Sequence, residues 1–140
     1  MTKSVAARVT APVVDTDRAI AAAAALLSRV DDVTLLAHVR PDADALGSAL
    51  ALGRALMRRG AHVVVSFGEP DTVPETLRPL DQHGLVVPAA EVPPAPEVLV
   101  TCDVNEPARL GPLADRLDTA GTTINSQDLL RTAYASAQPL

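Results

Sequence analysis

The sequence predicts an α/β domain built on a mostly parallel sheet flanked by helices. Two observations carry that expectation. Short apolar runs, VTLLAHV (33–39), AHVVVSF (61–67), EVLVTCDV (97–104) and TTI (122–124), stay apolar at nearly every position, as strands covered on both faces do. Alanine- and leucine-rich stretches with helical spacing fall between them, and strand–helix alternation is the pattern of parallel α/β sheets.

Each element follows from local chemistry. Residues 1–14 form a lead-in. Asp15, Thr16 and Asp17 supply helix-start groups before RAIAAAAALLSRV, where acidic side chains meet the positive end of the helix dipole. VTLLAHV is the first strand. From Asp44, the residues Leu46, Leu50, Gly53 and Leu56–Met57 recur at helical spacing, and RRG (58–60) ends that helix with two cations and a glycine. AHVVVSF is the second strand. GEPDTVPETL turns, with a short helix expected after Pro74. LVV (85–87) is a candidate third strand, and PAAEVPPAPE is too proline-rich for regular structure. EVLVTCDV is the clearest later strand. EPARLGPLADRLDTAG (106–121) is expected to be a helix weakened by Gly111 and Pro112, and TTI begins the last strand.

Composition narrows the function classes. With 48% hydrophobic and 21% charged residues in 140, the chain can bury a core and is read as one folded unit. Phe67 and Tyr134 are its only aromatic residues and its net charge is −5. It therefore lacks both the stacking platforms and the basic footprint of a general nucleic-acid binder. A single cysteine, Cys102, cannot form an internal disulfide. No apolar run reaches the ~18 residues of a membrane span, and no signal-peptide core precedes the first aspartates, so the expected setting is cytoplasmic.

The stretch LLAHVRPDADALGSALALG (35–53) concentrates the chemistry. One carboxylate before such a helix is ordinarily an N-cap, and a lone histidine at a strand end is ordinarily a hydrogen-bonded structural group. Here Asp42 and Asp44 stand two apart with His38 four residues earlier, and only one can cap. Pro41 stiffens the backbone between them, and Gly47 and Ser48 allow close approach to the first turn. Asp103 also follows a strand. In open α/β sheets ligands lie beyond the carboxyl ends of the strands, so His38 and Asp103 should share an edge. Three carboxylates and an imidazole in one cleft call for a cation, and this donor set suits Mn2+ or Mg2+. Cys102 should face the core, because neighbouring strand residues point to opposite faces. His62 and His83 are given structural roles.

HVRPDADALGS resembles the first motif of the DHH phosphoesterase family, a strand-end His–x–x–Pro–Asp–x–Asp–x–x–Gly pattern. LGRALMRRGAHVVVSFGEPDTVPETL is similar to the branch that degrades very short RNA and dephosphorylates 3′-phosphoadenosine 5′-phosphate, and LVTCDV resembles the second motif. The resemblance spans residues 15–124. It implies a Rossmann-like N-terminal domain with a two-manganese site. His38, Asp42 and Asp103 would serve one ion, Asp44 and Asp103 the other, with Asp42, Asp44 and Asp103 catalytic. The implied reaction is two-metal hydrolysis of short oligoribonucleotides or nucleotide phosphates, in which the ions polarise a phosphoryl oxygen and acidify the attacking water.

The family's Asp-His-His motif should follow a strand such as TTI, where this chain has INSQDLLRTAYASAQPL. Residues 125–140 are therefore expected to be an irregular tail outside the family pattern, and the chain a truncated or frame-shifted form with impaired activity. Two other readings stand beside the enzyme: a non-catalytic remnant or metal-binding module, and a manganese inorganic pyrophosphatase-like enzyme sharing the first motif. Loss of later strands also predicts self-association through an exposed sheet edge.

Overall fold

The computed structural model describes residues 16–126. The predicted lead-in, and all of the predicted tail beyond Ser126, lie outside the described residues. The fold is α/β. Its elements are α1 (Thr16–Leu27), β1 (Asp32–Ala37), α2 (Ala43–Arg58), β2 (His62–Ser66), β3 (Val98–Cys102), α3 (Arg116–Thr119) and β4 (Thr122–Asn125). Every pairing in the four-stranded sheet is parallel and the spatial order is β2-β1-β3-β4.

Alternation along the strands divides the core into two. Leu35, Ala37, Val63, Val65, Val98, Val100, Cys102 and Ile124 face α2 and the buried side of α1. Leu36 and Leu99 point the other way, onto Val92, Val104, Leu110, Leu113 and Ala120. This two-sided burial explains why the strands are apolar at successive positions. The chain leaves the central β1/β3 pair in opposite directions, through α2 to β2 and through residues 107–119 to β4. Right-handed crossovers then place the two connections on opposite faces.

Three expectations need correction. LVV does not form a strand: Val86 makes an isolated bridge to Val65. The Asp81 carboxylate accepts from the amides of Leu85 and Val86 at 2.8 and 3.0 Å, which keeps the Leu85 amide from extending the pairing with β2, and Pro88 follows. The proline-rich connection does hold one regular turn, a 3-10 segment at Ala89–Glu91. Residues 106–121 are not one helix but a 3-10 segment, Pro107–Leu113, followed by α3. The break is at Gly111, whose φ of 58° is left-handed and whose Cβ, were there one, would sit 2.7 Å from Val39 Cγ1. The short helix expected after Pro74 is a 3-10 segment, Glu75–Leu80. β4, which TTI begins, runs from Thr122 to Asn125.

Candidate metal centre

β1 and β3 are neighbours, yet the connections leaving them run to opposite sides of the sheet. The chain direction switches between these two strands, and crevices at such switch points are where open α/β sheets bind ligands. His38 follows the last residue of β1 and Asp103 the last residue of β3, in register with each other through Ala37 and Cys102. Asp42 enters from the loop before α2.

Three side chains meet there. His38, Asp42 and Asp103 each present a ligand atom, and these atoms all lie within 4.8 Å of one another. His38 Nε2 is 3.8 Å from Asp42 Oδ2 and 3.7 Å from Asp103 Oδ2. Those separations are too long for hydrogen bonds. They match two donors bound to one cation at ~2.1 Å each, which stand roughly 3–4 Å apart. The imidazole is buried and the two carboxylates are exposed, so the centre has a fixed floor and an open rim.

The histidine is oriented by the backbone. Its Nδ1 lies 2.7 Å from the Val39 carbonyl oxygen. A carbonyl only accepts, so Nδ1 is the donor in this contact, which leaves Nε2 as the nitrogen that can offer a lone pair to the centre, the arrangement metal-binding histidines adopt. Asp42 combines the two roles its position suggested. Its Oδ1 accepts from the Ala45 amide at 2.8 Å, capping α2, while Oδ2 faces His38. Asp44 lies exposed in the first turn of α2, outside the trio. Cys102 is buried in the core beside Asp103. Burial pushes its thiol up to about 12, with a lowering hydrogen bond from Ser126 and a further rise from Asp103. A thiol held that firmly protonated neither ligates nor attacks.

The surrounding loops contribute groups that the sequence did not single out. Arg40 and Asp103 are the two non-glycine residues with positive φ among the described residues, at 49° and 60°. Aspartate tolerates that region; arginine seldom enters it. Arg40 is held there by its amide, which donates to the Glu69 carbonyl at 2.7 Å, while the Val39 amide donates to the Arg109 carbonyl at 2.8 Å. Strained backbone on both sides of a ligand cluster is characteristic of functional sites. The signals were the turn residues of FGEPD (67–71) and the Gly111–Pro112 pair, whose consequence lay in a different loop.

His62 and His83 lie away from the centre. His62 Nδ1 is 3.3 Å from Asp32 Oδ1, both exposed. His83 is exposed and lines a cavity between α2 and residues 80–85. The donor set nonetheless fits a divalent cation: an imidazole with its second nitrogen fixed and two carboxylates with free oxygens, from three separate segments.

No protein-family model matches this sequence. Among solved structures, the fold is similar to that of an exopolyphosphatase-related protein from Bacteroides fragilis, with a TM-score of 0.62 and 19% identity. The match covers 84% of this chain and 43% of that one, so this chain spans less than half the length of its neighbour. At that identity the likeness establishes the shared fold. No helix among the described residues is long and apolar enough to cross a membrane.

Proposed function

We propose that His38, Asp42 and Asp103 hold a divalent cation, Mn2+ or Mg2+, and that this chain carries the metal-binding part of a phosphoesterase. The observation that carries the reading is the meeting of these three donors at the switch point, with His38 Nε2 turned toward both carboxylates. The exopolyphosphatase-related neighbour supports phosphoryl chemistry at the level of the superfamily. The motif resemblance supports short oligoribonucleotides and 3′-phosphoadenosine 5′-phosphate as substrates, with Asp44 serving a second ion.

A bound cation supplies electrostatic stabilisation of phosphoryl oxygens and acidifies a nearby water. The chain's own groups have distinct tasks. His38 fixes the floor of the centre through Nδ1. Asp42 ties the centre to the start of α2. Asp103, with its left-handed backbone, turns its carboxylate back over the end of β3 toward His38. Exposure of both carboxylates leaves the rim open to a phosphate.

Titration with Mn2+ followed by electron paramagnetic resonance tests the reading. Asp103→Asn keeps a residue that accepts positive φ while removing the charge, and should weaken Mn2+ binding at least tenfold. His62→Ala should leave it unchanged. Equal Mn2+ affinity in wild type and Asp103→Asn would overturn the proposal. One ion bound with slow, Mn2+-dependent hydrolysis is the outcome expected of an impaired phosphoesterase, whereas an ion bound with no hydrolysis at all would favour the non-catalytic metal-binding module.

A further inference from the structure

α2 and the segment 80–85 form a half-open cavity of about 220 Å³ whose lining includes none of the three metal donors. Leu50, Ala51, Leu80 and Leu85 form its apolar lining, and Arg54, Gln82 and His83 its polar rim. Leu80 is one of two large hydrophobic residues exposed among the described residues, at 41%. Asp81 also lines the cavity, but its two oxygens already accept the Leu85 and Val86 amides. The side chains of Arg54, Gln82 and His83 form no hydrogen bond or ion pair among the described residues. The cavity thus offers an apolar bed beside an uncommitted cation and two uncommitted polar groups.

Gly47, the glycine that ends the PDADALG stretch, also borders this cavity. It lies inside α2, where glycine is less favourable than alanine. Packing accounts for Gly53, where a Cβ would meet Leu35, Val63 and Leu85 at 3.1–3.3 Å. It does not account for Gly47: a Cβ there meets nothing within 4 Å, and its φ is not in the left-handed region. What the missing side chain leaves open is the cavity that Gly47 lines.

We propose that this cavity is a second ligand site, for a small organic anion with a ring-sized apolar body. The volume is below the 300–1,000 Å³ typical of pockets for drug-sized ligands, which limits the buried body to about one ring. The leucine and alanine surfaces take that body. Arg54 holds the anionic group, a phosphate or carboxylate that its planar guanidinium can grip with two hydrogen bonds. Gln82 and His83 each add a donor or an acceptor at the rim.

The test needs no metal, so its outcome is independent of the phosphoesterase reading. The full chain, 15N-labelled and in EDTA, is titrated with adenosine 5′-monophosphate, adenosine, benzoate and inorganic phosphate. Expected are saturable shifts of the Gly47, Gly84 and Leu85 amides with adenosine 5′-monophosphate or benzoate, the tighter of the two identifying a nucleotide or a carboxylate source. Adenosine and inorganic phosphate, each lacking one half of the recognised group, should bind at least tenfold more weakly. Arg54→Glu, at an exposed position, should weaken the organic anion at least tenfold, with Arg54→Lys restoring part of it. Gly47→Met should block the cavity while the melting temperature holds or rises. The proposal fails if neither organic anion shifts these amides, if inorganic phosphate binds as well as they do, or if both Arg54→Glu and Gly47→Met bind like wild type.

Discussion

Asp42 carries two functions on two oxygens, and substitution can separate them. Asparagine caps helices about as well as aspartate but is a poor cation ligand, whereas alanine does neither. Asp42→Asn should therefore keep the urea midpoint of the wild type and lose most Mn2+ affinity. Asp42→Ala should lose the same affinity and about 1 kcal/mol of stability as well. Equal stability of the two variants would show that the 2.8 Å bond to the Ala45 amide contributes nothing. Cys102 offers a pH test with a definite sign. Its thiol is raised from 9.0 to about 12 in the folded chain, so above pH 9 the unfolded chain loses this proton while the folded chain keeps it. The stability linked to this group is intact below pH 9 and declines by ~1.4 kcal/mol per pH unit between 9 and 12. Urea midpoints at pH 8 and pH 10.5 should fall further for wild type than for Cys102→Ala. The placement of this thiol was legible in sequence, because strand alternation turns Cys102 inward when Asp103 lies at the site.

Among the elements, those with many local signals were legible and those set by distant contacts were not. α2 shows its cap, its spacing and its basic end in sequence, and it forms over Ala43–Arg58 as expected. The segment 106–121 shows helical spacing too, yet it splits, because Gly111 adopts a left-handed backbone against Val39. That neighbour is 72 positions away in sequence and invisible to any local pattern. Gly111→Ala would place a Cβ 2.7 Å from Val39 Cγ1 at an unfavourable φ, and should destabilise by roughly 1–3 kcal/mol. Val39 adjoins His38, so the same substitution should also weaken Mn2+ binding. A variant as stable as wild type with unchanged Mn2+ affinity would show that this contact does not position the centre. LVV failed as a strand for a local reason instead: the Asp81 carboxylate, four and five residues earlier, takes the Leu85 and Val86 amides.

At the scale of the whole molecule, the strand order decides where chemistry can occur. Only the β1–β3 adjacency brings His38 and Asp103, 65 positions apart, to one crevice. Among the described residues the trio forms one candidate three-donor centre, while Asp44 lies outside it. We therefore expect this 140-residue chain to bind at most one equivalent of Mn2+, weakly, and to turn over short RNA and 3′-phosphoadenosine 5′-phosphate poorly. Loss of one well-placed electrostatic group costs about 10²–10³ in rate, and lack of a second ion should cost at least as much. Isothermal titration gives the stoichiometry and a chromatographic hydrolysis assay the rate. Two tightly bound ions with robust turnover, abolished by Asp42→Asn, would show that further ligands complete the centre. Saturating Mn2+ should raise the melting temperature, since an ion at 100 times its Kd stabilises the folded state by about 2.7 kcal/mol.

By itself the sequence determined the α/β class, the order of its principal strands and helices, and the residue types gathered around PDAD. Those features rest on periodicity, capping chemistry and hydrophobic burial, which act over a few residues and leave local traces. Tertiary structure decided which donors at the edge expected from sequence come together, His38, Asp42 and Asp103 but not Asp44, and that Arg40 is held at positive φ by the loop at Glu69. It also decided that Gly47 opens onto a cavity with Arg54 and His83 at its rim. Each of these depends on contacts between segments far apart in the chain, where the geometry of the packed sheet, and not any local preference, selects the outcome.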